Sequence, residues 1–402
     1  MHILISRTEK GDRKMSRREK KKKASGLVRQ LTGRTLRFLI IGAGFPYHKS
    51  PHLYQWVWVF ILLPFLEEDT LSELSGKYGG DLRKLYRILT RHPEAFEKLL
   101  RMLAMPLFFG LLDDFGLSGE TEQSRRRIRI IFDDTKAEKS GKYMEFIHKL
   151  FDNAKDRYIM GCNYVLMLAV SGDTVIPPAF VLWLPAGHPD HRSKNDIACD
   201  EIIRLRKACD RRGCDLGEVE LTFDSAYHVQ KVMNAANAAG FRVISKADGK
   251  YKFEFEGELL TPSEIIEKVA ERQWKYLEKK HDYQRIRAHH HVYGEVILVV
   301  RRRQLKNKKI IYDVLICNKF FYTAPRIHKC YKRRWKIETY FKYYKQYLSL
   351  GKSQFQKIGS VRSHLSCVAM AGIIVALFRR RFPRKISFLR AVKLLRRELW
   401  DI

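Results

Sequence analysis

The sequence has few cysteines, and they are not spaced like a metal site or a disulfide framework. The 402 residues include seven cysteines, an odd number, and no two of them form a C-x-x-C pair. Cys209 and Cys214 are the closest two, but no second pair follows at a spacing that would complete a zinc site. We therefore expect reduced, mostly buried thiols, as in proteins of the cytosol.

Long apolar runs are also missing. A membrane-spanning helix needs about 18 or more apolar residues, and the longest candidates, residues 56–63 and 368–378, are shorter. The first residues lack an apolar core followed by a small-residue cleavage site, so no signal peptide is expected, although either Met1 or Met15 could be the start. The sequence predicts a cytoplasmic protein without a membrane segment.

Acidic residues are scarce relative to basic ones. The chain has 77 Lys and Arg against 44 Asp and Glu, a net charge of +33, and four short stretches carry 29 of these charges: residues 1–34, 301–309, 326–345 and 376–402. The rest of the chain is nearly neutral. A surplus of positive charge that is confined to a few stretches indicates a polyanionic partner. The lack of a membrane anchor favours nucleic acid over a lipid surface.

The hydrophobic pattern changes character along the chain. A basic arm over residues 1–34 precedes a helical pattern over residues 35–124. An α/β pattern with a mixed sheet then begins, with predicted strands at 128–132, 164–170, 175–184, 219–223 and 242–245 and helices at 196–212 and 229–239. A hairpin turn is predicted at residues 171–173, and a β-hairpin is predicted from residues 294–300 and 309–317.

Two aspartates stand at the ends of predicted core strands. Asp133 follows the strand at 128–132, and Asp224 follows the strand at 219–223. Functional groups converge at the carboxyl ends of such strands, and paired carboxylates suit Mg²⁺, which prefers oxygen ligands. Either residue alone could equally start a turn.

A third acidic residue lies in a basic helix near the C-terminus. On a regular α-helix, Tyr331, Arg334, Glu338 and Lys345 fall within a stripe about 60° wide. Glu338 is the single acid among eight basic residues between 326 and 345. The pattern suggests metal binding by Glu338, with Arg334 and Lys345 gripping phosphate.

The spacing Tyr331-x₂-Arg334-x₃-Glu338-x₆-Lys345 resembles the Y-R-E-K signature of insertion-sequence DDE transposases, the cut-and-paste branch. Asp133-Asp134-Thr135 resembles the first motif of that family, and Asp224-x-x-Tyr227 resembles its second. The resemblance covers residues 125–375. One departure is Ser225, where the family often has arginine directly after the second aspartate.

The resemblance implies a ribonuclease-H-like mixed-sheet α/β core with a β-rich insertion, and the helical pattern before it predicts an all-helical N-terminal domain. The implied domains are a basic arm (1–34), a helical DNA-binding domain (35–124), the first part of the core (125–250), the insertion (251–325), the second part of the core (326–378) and a basic C-terminal helix (379–402). The helical signature would therefore lie in the second part of the core.

The resemblance also implies a chemistry. Asp133, Asp224 and Glu338 would hold two Mg²⁺ or Mn²⁺ ions that promote strand cleavage at transposon ends and strand transfer into target DNA. Asp134 is held in reserve as the first ligand, because neighbouring strand residues face opposite ways. Partners would be the inverted-repeat ends and target DNA, with a homodimer acting on DNA in the cytoplasm, at the nucleoid.

Further DNA contacts are expected from Tyr331, Arg334 and Lys345 at the phosphate near the transposon end. Trp274 is the candidate for stacking a flipped base, although packing would explain it as well. Backbone contacts are expected from lysines that follow the first motif or lie in the hairpin turn: Lys139, Lys142, Lys306, Lys308 and Lys309. The run His289-His290-His291 is expected at a surface rather than at a metal.

Two other functions are open on the sequence alone. A decayed or repurposed copy could keep the fold and charge as a catalytically silent DNA-binding protein. A ribonuclease-H-like nuclease could cleave without joining. The three intact acids favour the active transposase, and inverted repeats flanking the coding region would identify its substrate.

Overall fold

The structure, a computed structural model, describes most of the chain with several gaps. The described residues are 39–45, 53–65, 71–72, 75, 81–116, 127–141, 143–152, 155–278, 281–290, 293–305, 307–382 and 385–400. The predicted basic arm, Lys142, Lys306 and His291 lie outside them. The chain forms two compact units, a first within 1–118, 134–191 and 338–402 and a second within 119–133 and 192–337.

The described chain alternates helices and strands. The helices are α1 Leu53–Leu62, α2 Leu82–Arg91, α3 Pro93–Gly116, α4 Lys194–Asp210, α5 Gln230–Ala238, α6 Pro262–Lys268, α7 Ala324–Lys332, α8 Lys336–Tyr347, α9 Ile358–Arg380 and α10 Phe388–Trp400. The strands are β1 Arg129–Glu138, β2 His148–Asp152, β3 Arg157–Ser171, β4 Thr174–Trp183, β5 Glu220–Phe223, β6 Arg242–Lys246, β7 Phe253–Phe255, β8 Glu258–Leu260, β9 Lys275–Glu278, β10 His281–His290, β11 Gly294–Gln304 and β12 Ile310–Cys317. This is the mixed α/β architecture that the sequence predicts.

Parallel strands form the centre of the second unit. The start of β1 pairs with β5, and β5 pairs with β6, so that Arg129, Glu220 and Arg242 lie side by side. All four residues of β5 are buried, as expected of a strand covered on both faces. Helix α4 precedes β5 and begins at a capping box between Ser193 and Asp196. Helix α5 joins β5 to β6 and ends before Gly240, whose φ is +83°.

Antiparallel strands extend this sheet. From β6 the order is β12, β11, β10, β7 and β8, with β9 against β10. The predicted hairpin is confirmed as β11 and β12, which pair from Ile297 opposite Cys317 to Gln304 opposite Ile310. Strand-rich structure therefore fills the interval where a β-rich insertion is expected, while the limits of that insertion stay a prediction.

The first unit is built around α9. This helix packs against α2, α3 and β4, and the predicted turn at residues 171–173 is confirmed, because Ser171 pairs with Thr174 across Gly172, whose φ is +56°. Helices α1 to α3 lie within residues 35–124, where the sequence predicts helical structure. That these residues form a separate DNA-binding domain stays a prediction. On α10, the apolar residues Phe388, Val392 and Leu395 are buried.

The expectation of no membrane-length helix needs correction. With 23 residues, α9 is long and apolar enough to cross a membrane, but 89% of its most apolar window is buried inside the protein. Polar residues such as Ser363 and His364 interrupt the run of apolar residues in the sequence, but they do not end the helix. The length of the apolar run therefore underestimates the length of the helix. Helix α9 is the one such helix in the described part of the chain, and its burial is that of a core helix.

All seven cysteines are free, and five of them are buried: Cys162, Cys209, Cys317, Cys330 and Cys367. The expectation of reduced, mostly buried thiols agrees with this arrangement. Burial raises the pKa of the Cys209 thiol to about 12, with Cys214 acting in the same direction. Such a thiol stays protonated and unreactive at neutral pH.

The buried histidine of α9 should make the protein sensitive to acid. Burial lowers the pKa of His364 to about 4, and the nearby Lys139 ammonium acts in the same direction. Below pH ~6.5 the unfolded chain binds a proton at this position that the folded chain binds only near pH 4, so the free energy of unfolding falls across this window. We expect His364 to account for a loss of about 2 kcal/mol between pH 7 and pH 5.

Urea denaturation at the two pH values measures this effect. His364→Gln should lose about 2 kcal/mol less than the wild type over the same interval. His289→Gln is the control, because His289 is exposed, and it should keep the wild-type dependence. Identical pH dependence in the wild type and His364→Gln would contradict the assignment.

Candidate active site

Asp133 and Arg334 meet in the second unit. Arg334 Nη1 donates to Asp133 Oδ2 at 2.6 Å, and both side chains are mostly shielded from solvent. An ion pair between arginine and a carboxylate is a strong, charge-assisted hydrogen bond. The contact joins the first acidic motif to the helical signature, although 201 residues separate the two positions.

The prediction that a strand ends just before Asp133 is wrong. β1 continues to Glu138, because it pairs with β5 only as far as Ile131 and then has β3 as a neighbour. Just beyond the end of β1, the Lys139 amide donates to the Met160 carbonyl at 2.9 Å. Asp133 therefore stands where β1 leaves its parallel partner, rather than at the end of the strand.

The neighbouring acid, Asp134, has a different environment in the first unit. Asn163 Nδ2 donates to Asp134 Oδ2 at 2.9 Å, and Asn163 is fully buried. Successive side chains of a strand point to opposite faces. The two neighbouring acids therefore have different partners, and the choice of Asp133 over Asp134 as the functional acid stays a prediction.

Asp224 lies directly after β5, as predicted. Its Oδ1 accepts a hydrogen bond from the Ala226 amide at 2.9 Å and so begins a short 3₁₀ turn over Ser225–Tyr227. Tyr227 is buried, with its ring centroid 6.4 Å from that of Phe132. The turn thus fixes one oxygen of Asp224, while Tyr227 anchors the turn in the core.

The helical signature is not one regular α-helix. α7 ends at Lys332, a 3₁₀ turn covers Arg333–Trp335, and α8 begins at Lys336. The backbone stays right-handed throughout, but the Arg333 amide donates to both the Cys330 and Tyr331 carbonyls. The expected stripe is therefore interrupted between Tyr331 and Glu338.

Tyr331 lies near two arginines. Its ring centroid is 5.6 Å from Arg301 Cζ and 5.7 Å from Arg334 Cζ. Burial raises the pKa of the Tyr331 hydroxyl, and the Asp224 carboxylate acts in the same direction, which places Asp224 within electrostatic range. Asp133, Asp224, Tyr331 and Arg334 are therefore gathered in one region of the second unit.

A basic cleft of about 460 Å³ opens beside this group. It is lined by four cationic side chains, one acid and two aromatic rings, among them Arg301, Arg303, Asp313, Tyr331, Lys332, Arg334 and Trp335. Asp313 binds Arg301 through two hydrogen bonds. Arg334 is likewise paired with Asp133. Positive charge still predominates in the lining, and a cleft of this charge and aromatic content suits a nucleic-acid strand.

Trp335 is the functional candidate that the sequence reading missed. It lies in the 3₁₀ turn and is 65% exposed, whereas no large apolar residue of α7 or α8 is among the exposed ones. It lines the cleft next to Arg334. A tryptophan inside the basic stretch is a sequence signal for base stacking. The sequence does not show whether its ring is exposed or packed in the core, and only the structure gives its position.

The residues predicted as other DNA contacts have varied environments. The Trp274 ring is 4.7 Å from Arg302 Cζ and its Nε1 donates to the Ala270 carbonyl at 3.1 Å. Lys308 and Lys309 are exposed, as expected of backbone contacts. His289 is exposed, whereas His290 is buried and stacked on Tyr293 at 4.0 Å between ring centroids.

Glu338, Lys345 and Lys139 belong to the first unit. Glu338 is half-buried in the first turn of α8. Lys345 Nζ donates to the Lys136 carbonyl at 2.7 Å, and burial lowers its pKa. Lys139 is buried and donates to the Gly351 and Ser353 carbonyls, so its ammonium holds the chain together and is poorly available to DNA.

The donor chemistry at Asp133 and Asp224 fits a hard divalent cation, because both offer carboxylate oxygens. Among the residues that the structure describes, however, no three His, Cys, Asp or Glu side chains are grouped so as to hold a metal ion. Asp133 is instead neutralised by Arg334. Both acids are therefore of the right type for a metal, while the charge of Asp133 is balanced here by Arg334.

Comparison with known families gives one match. A family model described as the transposase DDE domain matches residues 124–373, more than half of the chain. The matched range contains Asp133, Asp224 and Glu338. No curated protein matches the chain.

Proposed function

The chain belongs to the transposase DDE domain family, and from this premise we propose that it cuts DNA at the ends of its own mobile element and joins them to target DNA. The observation that carries the proposal is the contact of Asp133 with Arg334, because it links the first motif to the helical signature. We assign the protein to the Y-R-E-K branch on the spacing of Tyr331, Arg334, Glu338 and Lys345.

The catalytic residues of the proposal are Asp133, Asp224 and Glu338, with Asp134 in reserve. They would hold two Mg²⁺ or Mn²⁺ ions, which when bound supply charge neutralisation and activation of a water or 3′-hydroxyl. The turn after β5 would keep Asp224 in a fixed orientation through the Ala226 amide. Release of Asp133 from Arg334 would free a carboxylate oxygen for this role.

The basic cleft would hold the DNA strand. Arg334 and Tyr331 would grip the phosphate next to the cut, with Arg301 also near the Tyr331 ring. Trp335 would offer its exposed ring to a base, and stacking of this kind is worth about 1–3 kcal/mol. Lys345 and Trp274 remain proposed DNA contacts, as do the lysines of the hairpin turn, Lys306, Lys308 and Lys309, and Lys142.

The proposed partners are the inverted-repeat ends of the element and target DNA, with a homodimer assembled on the DNA at the nucleoid in the cytoplasm. The proposal is tested by incubating the purified protein with the DNA that flanks its coding region. With Mg²⁺ or Mn²⁺ we expect nicks at the repeat ends that leave 3′-hydroxyls, followed by joining to a plasmid, and EDTA should stop both steps.

Three outcomes separate the candidate functions. Cleavage and joining together support the transposase. Cleavage without joining would instead identify a nuclease, and DNA binding with neither reaction in any metal would identify a catalytically silent DNA-binding copy. A Glu338→Gln variant that cleaves as fast as the wild type would contradict the assigned site.

A further inference from the structure

A fully buried glutamate lies at the opposite end of the central strands from Asp224. Glu220 begins β5 and is 0% exposed. Arg129 Nε lies 2.7 Å from Glu220 Oε2, and Arg127 Nη1 and Arg326 Nη2 lie 3.6 and 3.8 Å from Glu220 Oε1. One carboxylate is therefore surrounded by three guanidinium groups.

A fourth guanidinium adds to this surplus. Arg333 is half-buried, and burial lowers its pKa, with the Arg129 charge acting in the same direction. No ion pair of Arg333 is found within the part of the chain that the structure describes. We call Glu220 with Arg127, Arg129, Arg326 and Arg333 the Glu220 cluster, and it holds four cations for one anion.

Other groups near the cluster do not remove the surplus. The Tyr322 hydroxyl and the Cys330 thiol donate to Glu220 Oε1 at 3.3 and 3.2 Å, which occupies the carboxylate without neutralising arginine. Arg242, beside Glu220 on β6, is balanced by its own partner, Glu218. Guanidinium groups stay protonated in proteins, so the positive surplus of the cluster persists at neutral pH and attracts external anions.

The outer arginines are partly exposed, and one of them is held against an aromatic ring. Arg326 Cζ lies 3.5 Å from the centre of the Tyr322 ring, which fixes the plane of the guanidinium. Its side chain is 28% exposed, and that of Arg127 is 17% exposed. Planar, partly exposed guanidinium groups with fixed orientation bind phosphate oxygens in pairs.

The cluster lies a short distance from the candidate active site along the same strand. Arg129 and Asp133 are four residues apart on β1, about 13 Å at ~3.3 Å per residue. The 3₁₀ turn carries neighbouring arginines to both places, because Arg334 binds Asp133 while Arg333 is within range of Arg129 and Glu220. A strand of DNA spaces its phosphates closely enough to occupy both places together.

We propose that the Glu220 cluster is a second phosphate-binding site, which holds a DNA backbone phosphodiester away from the cut while another phosphate lies at Arg334. The inference rests on the proposed function for the identity of the polyanion. The partly exposed Arg326 and Arg333 make the contact, and the buried Arg129 keeps Glu220 from neutralising them.

The salt dependence of DNA binding tests the proposal. Affinity for a labelled mixed-sequence duplex is measured in EDTA by fluorescence anisotropy across about 50–200 mM NaCl. Each lost phosphate contact makes the slope of log affinity against log salt shallower by about 0.9. The double variant Arg326→Gln and Arg333→Gln should therefore lose close to two units of slope.

A second double variant serves as the matched control. Arg204 and Arg206 lie on α4 in the same unit and are already paired with Glu201 and Asp210. Changing both to Gln removes the same charge and should leave the slope nearly unchanged. Equal slopes for the two double variants would overturn the proposal.

Two further measurements keep the test decisive. If the double variant fails to fold, Arg333→Gln alone should still lower the slope by about 0.9, because this change breaks no ion pair within the described ranges. The second measurement is the melting temperature with inorganic phosphate. If phosphate raises it for the wild type but not for Arg333→Gln, and the two proteins have the same salt slope for DNA binding, the site binds small anions and the proposal fails. Cleavage plays no part in these readouts, so a protein that binds as expected but never cuts DNA would refute the proposed function alone.

Discussion

Asp133→Asn should lower the rate of DNA end cleavage by about 10²- to 10³-fold or more, the loss seen when a charge-stabilising group is removed from an active site. The expected cause is loss of a carboxylate that the proposed mechanism needs for a divalent cation. Arg334 would lose the charge of its partner, but it would keep its place in the basic cleft. The measurement is the rate of nicking at a repeat end under single-turnover conditions.

Asp134→Asn is the closest control that the chain offers. It removes the same charge from the next residue of β1, and the new amide oxygen can still accept a hydrogen bond from Asn163. Its cleavage rate should stay close to that of the wild type, and DNA affinity in EDTA should be retained by both variants. If Asp134→Asn were the inactive variant, Asp134 would replace Asp133 in the site.

Part of this arrangement could be predicted because local sequence determines it. The alternation of Val219, Leu221 and Phe223 makes β5 recognisable as a strand, and the aspartate after it is a candidate for a turn or for the site. The capping box before α4 and Gly240 after α5 mark their helices in the same way. The mixed α/β architecture follows from the order of such elements.

Other features depend on pairing between distant segments. The extension of β1 beyond Asp133 requires β3 as a neighbour, and a strand pattern does not identify its partner. The 3₁₀ turn over Arg333–Trp335 likewise joins residues of good helical propensity, so nothing in their order predicts the interruption. These two features decide where Asp133 and Arg334 meet.

Burial of charge was the least predictable property. The count of basic residues correctly located surplus charge around the helical signature, but Lys139 is buried in the first unit and Arg129 in the second. Charged residues are seldom fully buried unless paired, and the partners come from other strands and helices. Sequence position alone therefore could not identify the Glu220 cluster.

Glu220→Ala should be strongly destabilising, with a loss of about 3–5 kcal/mol in the free energy of unfolding. Removing one partner of a buried ion pair leaves an uncompensated buried charge, and this cost is larger than the pair's own contribution. Here Arg129 would remain only 4% exposed beside Arg127 and Arg326 without an acid between them. Urea denaturation followed by circular dichroism measures the loss.

A surface ion pair of the same length isolates the effect of burial. Arg206 Nε and Asp210 Oδ1 on α4 are 2.7 Å apart, as are Arg129 Nε and Glu220 Oε2, but both of the former side chains are well exposed. Asp210→Ala should cost less than about 1 kcal/mol, because water solvates the charge that is left. Comparable losses in the two variants would mean that the arginines around Glu220 reach solvent when the acid is removed, and that burial does not give the cluster its strength.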